Sequence, residues 1–115
     1  MIQAIGPIPV PTPGTPVSVL AAAPSDEMKA AGTWPLHGIL FQAFQGNTGR
    51  VYVGSATMVK ATLVGVYAVL AIPSDQTLPT FSAALTWSPN ALRLEDFYVD
   101  ADVADDGALC TVLVT

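Results

Sequence analysis

The residues with the clearest chemical potential are acids. Glu95, Asp96, Asp100, Asp102, Asp105 and Asp106 fall close together near the C-terminus. A hard cation such as calcium takes roughly six to eight oxygens, which clustered carboxylates supply. The run D-A-D-V-A-D-D-G does not have the spacing of a calcium-binding loop, however. Side chains alternate along a strand, so Asp100 and Asp102 share one face, with Val99, Ala101 and Val103 on the other. The pair therefore reads as the solvated side of a strand, and Asp106-Gly107 as a hairpin turn. Glycoside hydrolysis needs two carboxylates flanking a bond, and nothing in the spacing marks out such a pair.

Other reactive groups are sparse. His37 is the sole histidine and has no second ligand or base partner in its motif. It reads as a strand-edge or interface residue. Cys110 lies in the apolar run L-C-T-V-L-V and reads as a buried small hydrophobe, with no partner for an internal disulfide. Ser88 lacks the G-x-S-x-G context of a nucleophile elbow. The glycines between Gly46 and Gly54 join strand to strand, whereas a phosphate-cradling loop opens a helix. The reading is a chain with no catalytic residues, no metal ligands and no cofactor. Trp34, Trp87, Tyr52, Tyr67 and Tyr98 suit a sugar-binding platform on a sandwich, although aromatic residues serve equally as core and interface packing.

Composition narrows the field further. The 115 residues are 51% hydrophobic and only 11% charged, with a formal charge of −5. That length suits one domain. The only cations are Lys29, Arg50, Lys60 and Arg93, too few to neutralise a nucleic-acid backbone. High hydrophobicity with low charge is the reverse of disorder. The longest apolar run, Leu63–Ile72, is too short to span a bilayer and is closed by Pro73. No charged segment precedes an apolar one at the N-terminus, so no secretory signal is expected. A small domain exposes much of its surface. With so few charges, part of that surface is expected to be covered by another chain.

The elements that must carry these residues are short strands. Residues 1–24 stand apart as an extended arm, because Pro7, Pro9, Pro11, Pro13, Pro16 and Pro24 fix φ and remove amide donors. Ile2, Ile5, Ile8 and Val10 make this arm apolar, and two readings stay open: a frayed terminus, or an arm that lies on a neighbouring chain. Val17–Ala23 suits a first short strand, and Ser25–Ala31 a capped turn or two of helix. From His37 onward, strand follows strand. His37–Gln45 and Arg50–Met58 alternate on either side of Gly46-Asn47-Thr48-Gly49 and read as a hairpin. Leu63–Ile72, Thr80–Trp87, Leu92–Val103 and Ala108–Thr115 complete the set. A phase shift at Glu95-Asp96 suggests a bulge in the third of these. The expected fold is all-β: an antiparallel β-sandwich or barrel of six to seven short strands over residues 25–115, preceded by the Pro-rich arm.

The stretch F-Q-A-F-Q-G-N-T-G-R-V-Y-V-G, residues 41–54, resembles small virion proteins of tailed bacteriophages. In these an N-(T/S)-G-x-(V/I)-Y-(V/I)-G hairpin precedes an l-x-d-(F/I/L)-Y-V-D-A strand, an Asp/Gly turn and an apolar C-terminal strand. Here the later elements are Leu94–Ala101, Asp105-Asp106-Gly107 and Leu109–Val114. The resemblance spans about residues 37–115 and implies a compact β-sandwich that decorates the outer surface of the virion head. It implies binding to the major capsid (coat) protein, often as a homotrimer, while the composition already argues against nucleic acid and membrane as partners. A tail or baseplate component is the alternative within that class, and a carbohydrate-binding module the alternative outside it. The Pro-rich arm lies outside the matched region; its composition makes Ile5, Ile8 and Val10, with Trp34 and Leu36 at its junction, the expected partner-binding residues.

Overall fold

The computed structural model describes residues 2–22, 35–70, 82–86 and 92–114. Among these are nine strands: β1 (Ile2–Pro9), β2 (Val17–Ser18), β3 (Pro35–Ala43), β4 (Val51–Val59), β5 (Val64–Leu70), β6 (Ser82–Thr86), β7 (Leu92–Arg93), β8 (Tyr98–Ala101) and β9 (Gly107–Val114). They form two antiparallel sheets. One has the order β1-β9-β3-β6, with β7 pairing beside β6 on β3; the other has the order β2-β8-β4-β5. The sheets pack face to face as an all-β sandwich around one apolar core.

Period-two alternation builds that core. Ile39, Phe41 and Ala43 of β3 and Ala108, Cys110 and Val112 of β9 point inward from the five-stranded sheet. Val51 and Val53 of β4 and Val99 and Ala101 of β8 point inward from the other. The Phe41 and Phe97 rings meet across the gap at 5.9 Å. The predicted capped helix at Ser25–Ala31 lies outside the described residues.

The N-terminal segment is not an arm. β1 runs antiparallel to β9, from Ile2 opposite Leu113 to Pro9 opposite Gly107. Ile5, Ile8 and Val10, expected to grip a partner, are fully buried in this chain's own core. Ile5 and Ile8 are three apart, so a regular strand would turn one of them outward. A bulge resolves this: the register shifts between Ala4 and Gly6, and Gly6 takes a φ of +103°. Two residues of β1 then oppose one of β9, and both isoleucines face inward. The prolines fit because β1 is an edge strand. The Gly107 amide and carbonyl bond to Asn47 and Phe44 on the β3 side, which leaves Pro9 opposite a non-bonded position. Pro9 and Pro7 therefore turn their donor-less nitrogens to the open edge, which they protect from further pairing.

Three expected local features are also corrected. β3 and β4 do not form a hairpin, because they belong to different sheets. The chain crosses from one layer to the other at Phe44–Arg50, so that Phe41 and Val51 face each other's side of the core. The phase shift at Glu95-Asp96 is larger than a bulge. A 3-10 turn, Leu94–Asp96, carries the chain from β7 in one sheet to β8 in the other. Asp105-Asp106-Gly107 is likewise a crossing between sheets rather than a hairpin turn, since β8 and β9 do not pair.

Candidate functional site

Asp102, Asp105 and Asp106 lie where the chain crosses from β8 to β9, Glu95 and Asp96 lie in the turn before β8, and Asp100 and Asp106 accept from backbone amides. Asp106 is buried, and its Oδ2 accepts from the amides of Thr48 (3.0 Å) and Gly49 (2.8 Å). Asn47 reaches from the same loop to Gly107. Its Nδ2 donates to the Gly107 carbonyl (2.9 Å), and its Oδ1 accepts from the Gly107 amide (3.0 Å). The side-chain amide thus substitutes for a strand partner where β9 begins. Gly107 must be glycine, because a Cβ there would overlap the Ile8 carbonyl.

Asp100 and Asp102 share the outer face of β8 as alternation requires, but Asp100 is not solvated. It is 1% exposed, and its Oδ1 accepts from the amides of Gly14 (3.0 Å) and Ala101 (2.8 Å). Lys60 covers it. The Lys60 amine donates to the Ala101 carbonyl (2.6 Å) and stands 3.9 Å from Asp100 Oδ1 and 3.7 Å from Asp102 Oδ1. Tyr52, opposite Asp100 in the register, donates its hydroxyl to Asp102 Oδ2 at 3.1 Å. Burial pushes the Tyr52 hydroxyl above its ordinary value, and the Asp102 hydrogen bond adds to that. Among the described residues, no cluster of three or more His, Cys, Asp or Glu is arranged to hold a metal ion. Cys110 is buried in β9, and desolvation pushes its thiol up to about 12.

The other notable surface is defined by what it lacks. The strands β1, β9, β3 and β6 contain no Asp, Glu, Lys or Arg. Their outward positions form cross-strand rows: Pro7, Leu109 and Gln42 in one, Ala4, Thr111 and Leu40 in the next. Leu40 and Leu109 are exposed by 41% and 44%. Arg50, Lys60, Asp100 and Asp102 all lie in or beside the four-stranded sheet instead. The molecule thus has four uncharged strands side by side in one sheet, with Arg93 of β7 at that sheet's margin, and Arg50, Lys60, Asp100 and Asp102 in or beside the other sheet.

Of the residues expected to bind a partner, Ile5, Ile8 and Val10 are core. Leu36 is placed in β3, between Val114 of β9 and Leu92 of β7. Trp34 lies outside the described residues, as does Trp87 of the expected sugar platform. Tyr52 of that platform is buried. Sequence reading missed Lys60, whose turn position gives no sign of a partner forty residues away. It also missed the row of four uncharged strands, which becomes visible only when distant strands are placed side by side. Among the described residues, no helix is long and apolar enough to cross a membrane. No family model, curated protein or solved structure matches the chain.

Proposed function

We propose that this chain is a structural, non-catalytic virion protein of a tailed bacteriophage: a head decoration protein that binds the major coat protein from outside, as a homotrimer. The observation that carries the reading is the row of four uncharged strands, β1-β9-β3-β6, with Leu40 and Leu109 exposed on its outer side. Contiguous apolar surface marks interaction sites. A face without charges avoids the cost of desolvating ions in a permanent interface. The sequence resemblance supplies the class of partner. The attachment surface differs from the one the sequence suggested, because the N-terminal isoleucines are spent on the core. Decoration stabilises a shell by mass action, since the protein binds only the assembled lattice. The net charge of −5 suits a protein that sits near packaged nucleic acid without adhering to it.

Immunogold labelling of tailed particles from a lysate producing this chain tests the reading. Label over the heads supports it. Label confined to tails moves the protein to the tail or baseplate, and particles without label overturn a virion role.

A further inference from the structure

Lys60 and Asp100 are brought together with an unusual set of neighbours. Lys60 follows β4, where the ladder is irregular: pairing jumps from Gly54–Val66 to Val59–Val64. The strand bulges there, and the lysine side chain runs back over the Tyr52 ring, 5.9 Å from its centroid. Its amine ends 3.9 Å from Asp100 Oδ1, and the Asp100 side chain is only 2% exposed. Two backbone amides, those of Gly14 and Ala101, aim at that same oxygen. A second carboxylate, Asp102, stands 3.7 Å from the amine. Tyr52 holds the far oxygen of Asp102, so the near one faces Lys60.

These are the parts of an acyl-transfer site. There is a nucleophilic amine, a carboxyl carbon shielded from water, a pair of N–H donors on one carboxyl oxygen, and a group able to relay a proton. We propose that Lys60 and Asp100 condense to an intramolecular amide bond, formed by the folded chain itself.

The step balances without an oxidant or co-reactant. Proton transfer from the Lys60 ammonium to the Asp100 carboxylate gives the amine and the carboxylic acid that the step needs. Nζ then attacks Cγ, and the negative charge that develops on Oδ1 stays under the Gly14 and Ala101 amides. Asp102 takes a proton from the nitrogen and passes it to the departing Oδ2. The Cγ–Oδ2 bond breaks, the Nζ–Cγ bond remains, and one water leaves. Rotation about the terminal bonds of the lysine closes the gap to an attack distance of about 3–3.5 Å. The product ties the bulged end of β4 to β8.

Intact-mass spectrometry and a tryptic map of the full-length folded protein, held at neutral pH, test this. The expected mass is below the sequence mass by one water. Trypsin is expected to release a branched product in which residues 51–93, uncut at Lys60, are joined to residues 94–115. Lys60→Arg and Asp100→Ala should restore the full mass. Asp100→Asn should lose one ammonia instead of one water, because its leaving group is nitrogen. Recovery of the wild-type chain at full mass, with a free peptide ending at Lys60, overturns the proposal. So does a water loss confined to linear 94–115, which would place it at a succinimide of Asp106-Gly107.

Discussion

Replacing Ile8 with alanine distinguishes a strand from an arm. Ile8 is wholly buried, faces the core from β1 and sits opposite Ala108 of β9. Small residues across from it leave the isoleucine to fill that part of the layer, so truncation leaves a cavity that Ala108 cannot close. Truncating a buried isoleucine to alanine costs about 2–5 kcal/mol, from lost transfer energy plus the cavity. The tight surroundings, with the Ile8 carbonyl against Gly107, give little room for collapse and favour a value of about 3–4 kcal/mol. A domain of this size has only about 5–15 kcal/mol in total. The loss corresponds to a fall in Tm of about 10–15 °C. Urea unfolding followed by tryptophan fluorescence reads it as a lower midpoint at unchanged slope. An arm lying on another molecule would give an isolated chain indifferent to this change. A loss below about 0.5 kcal/mol, the range of surface substitutions, would refute the placement of β1.

Further outcomes follow from the same contacts. Asp106→Ala removes the acceptor for the Thr48 and Gly49 amides and should cost about 3 kcal/mol by denaturant melt, as charged hydrogen bonds are worth about 1.5–3 kcal/mol each. Gly107→Ala should prevent folding, read as loss of the native circular dichroism spectrum, because its Cβ meets the Ile8 backbone. The Cys110 thiol is pushed from 9.0 up to about 12, so above pH 9 the unfolded state loses its proton first. Stability present below pH 9 should then fall by about 1.4 kcal/mol per pH unit up to about pH 12, and Cys110→Ala should flatten the early part of that decline. Leu40→Lys and Leu109→Lys should leave the unfolding free energy within about 0.5 kcal/mol of wild type, yet abolish co-sedimentation with capsids.

The strands that alternate cleanly were legible from sequence. Ile39, Phe41 and Ala43, then Val51 and Val53, announce their inner faces by period two alone, and both sheets bury them as expected. β1 was hidden twice over. Its prolines imitate polyproline II, and its isoleucines recur every three residues until the bulge at Gly6 resets the phase. The crossing at Phe44–Arg50 was read as a hairpin because a Gly-Asn-Thr-Gly cluster has the same composition in either setting. What decides between them is the grip of Asn47 on Gly107, a contact between residues sixty apart. The acids were visible as a cluster, but not their roles. Alternation put Asp100 on an outer face, and the Gly14 turn together with the return of Lys60 from the bulged end of β4 covers it.

The low charge of the whole sequence is thus unevenly placed, and that placement is the basis of the functional proposal. The most direct test is a cryo-EM map of the tailed particle that carries this chain. The result expected is a trimeric density on the outer head surface, with the sheet bearing Leu40 and Leu109 against the coat lattice and the Asp100–Asp106 end toward solvent. A map with that sheet facing solvent, or with the chain absent from the head, would contradict it.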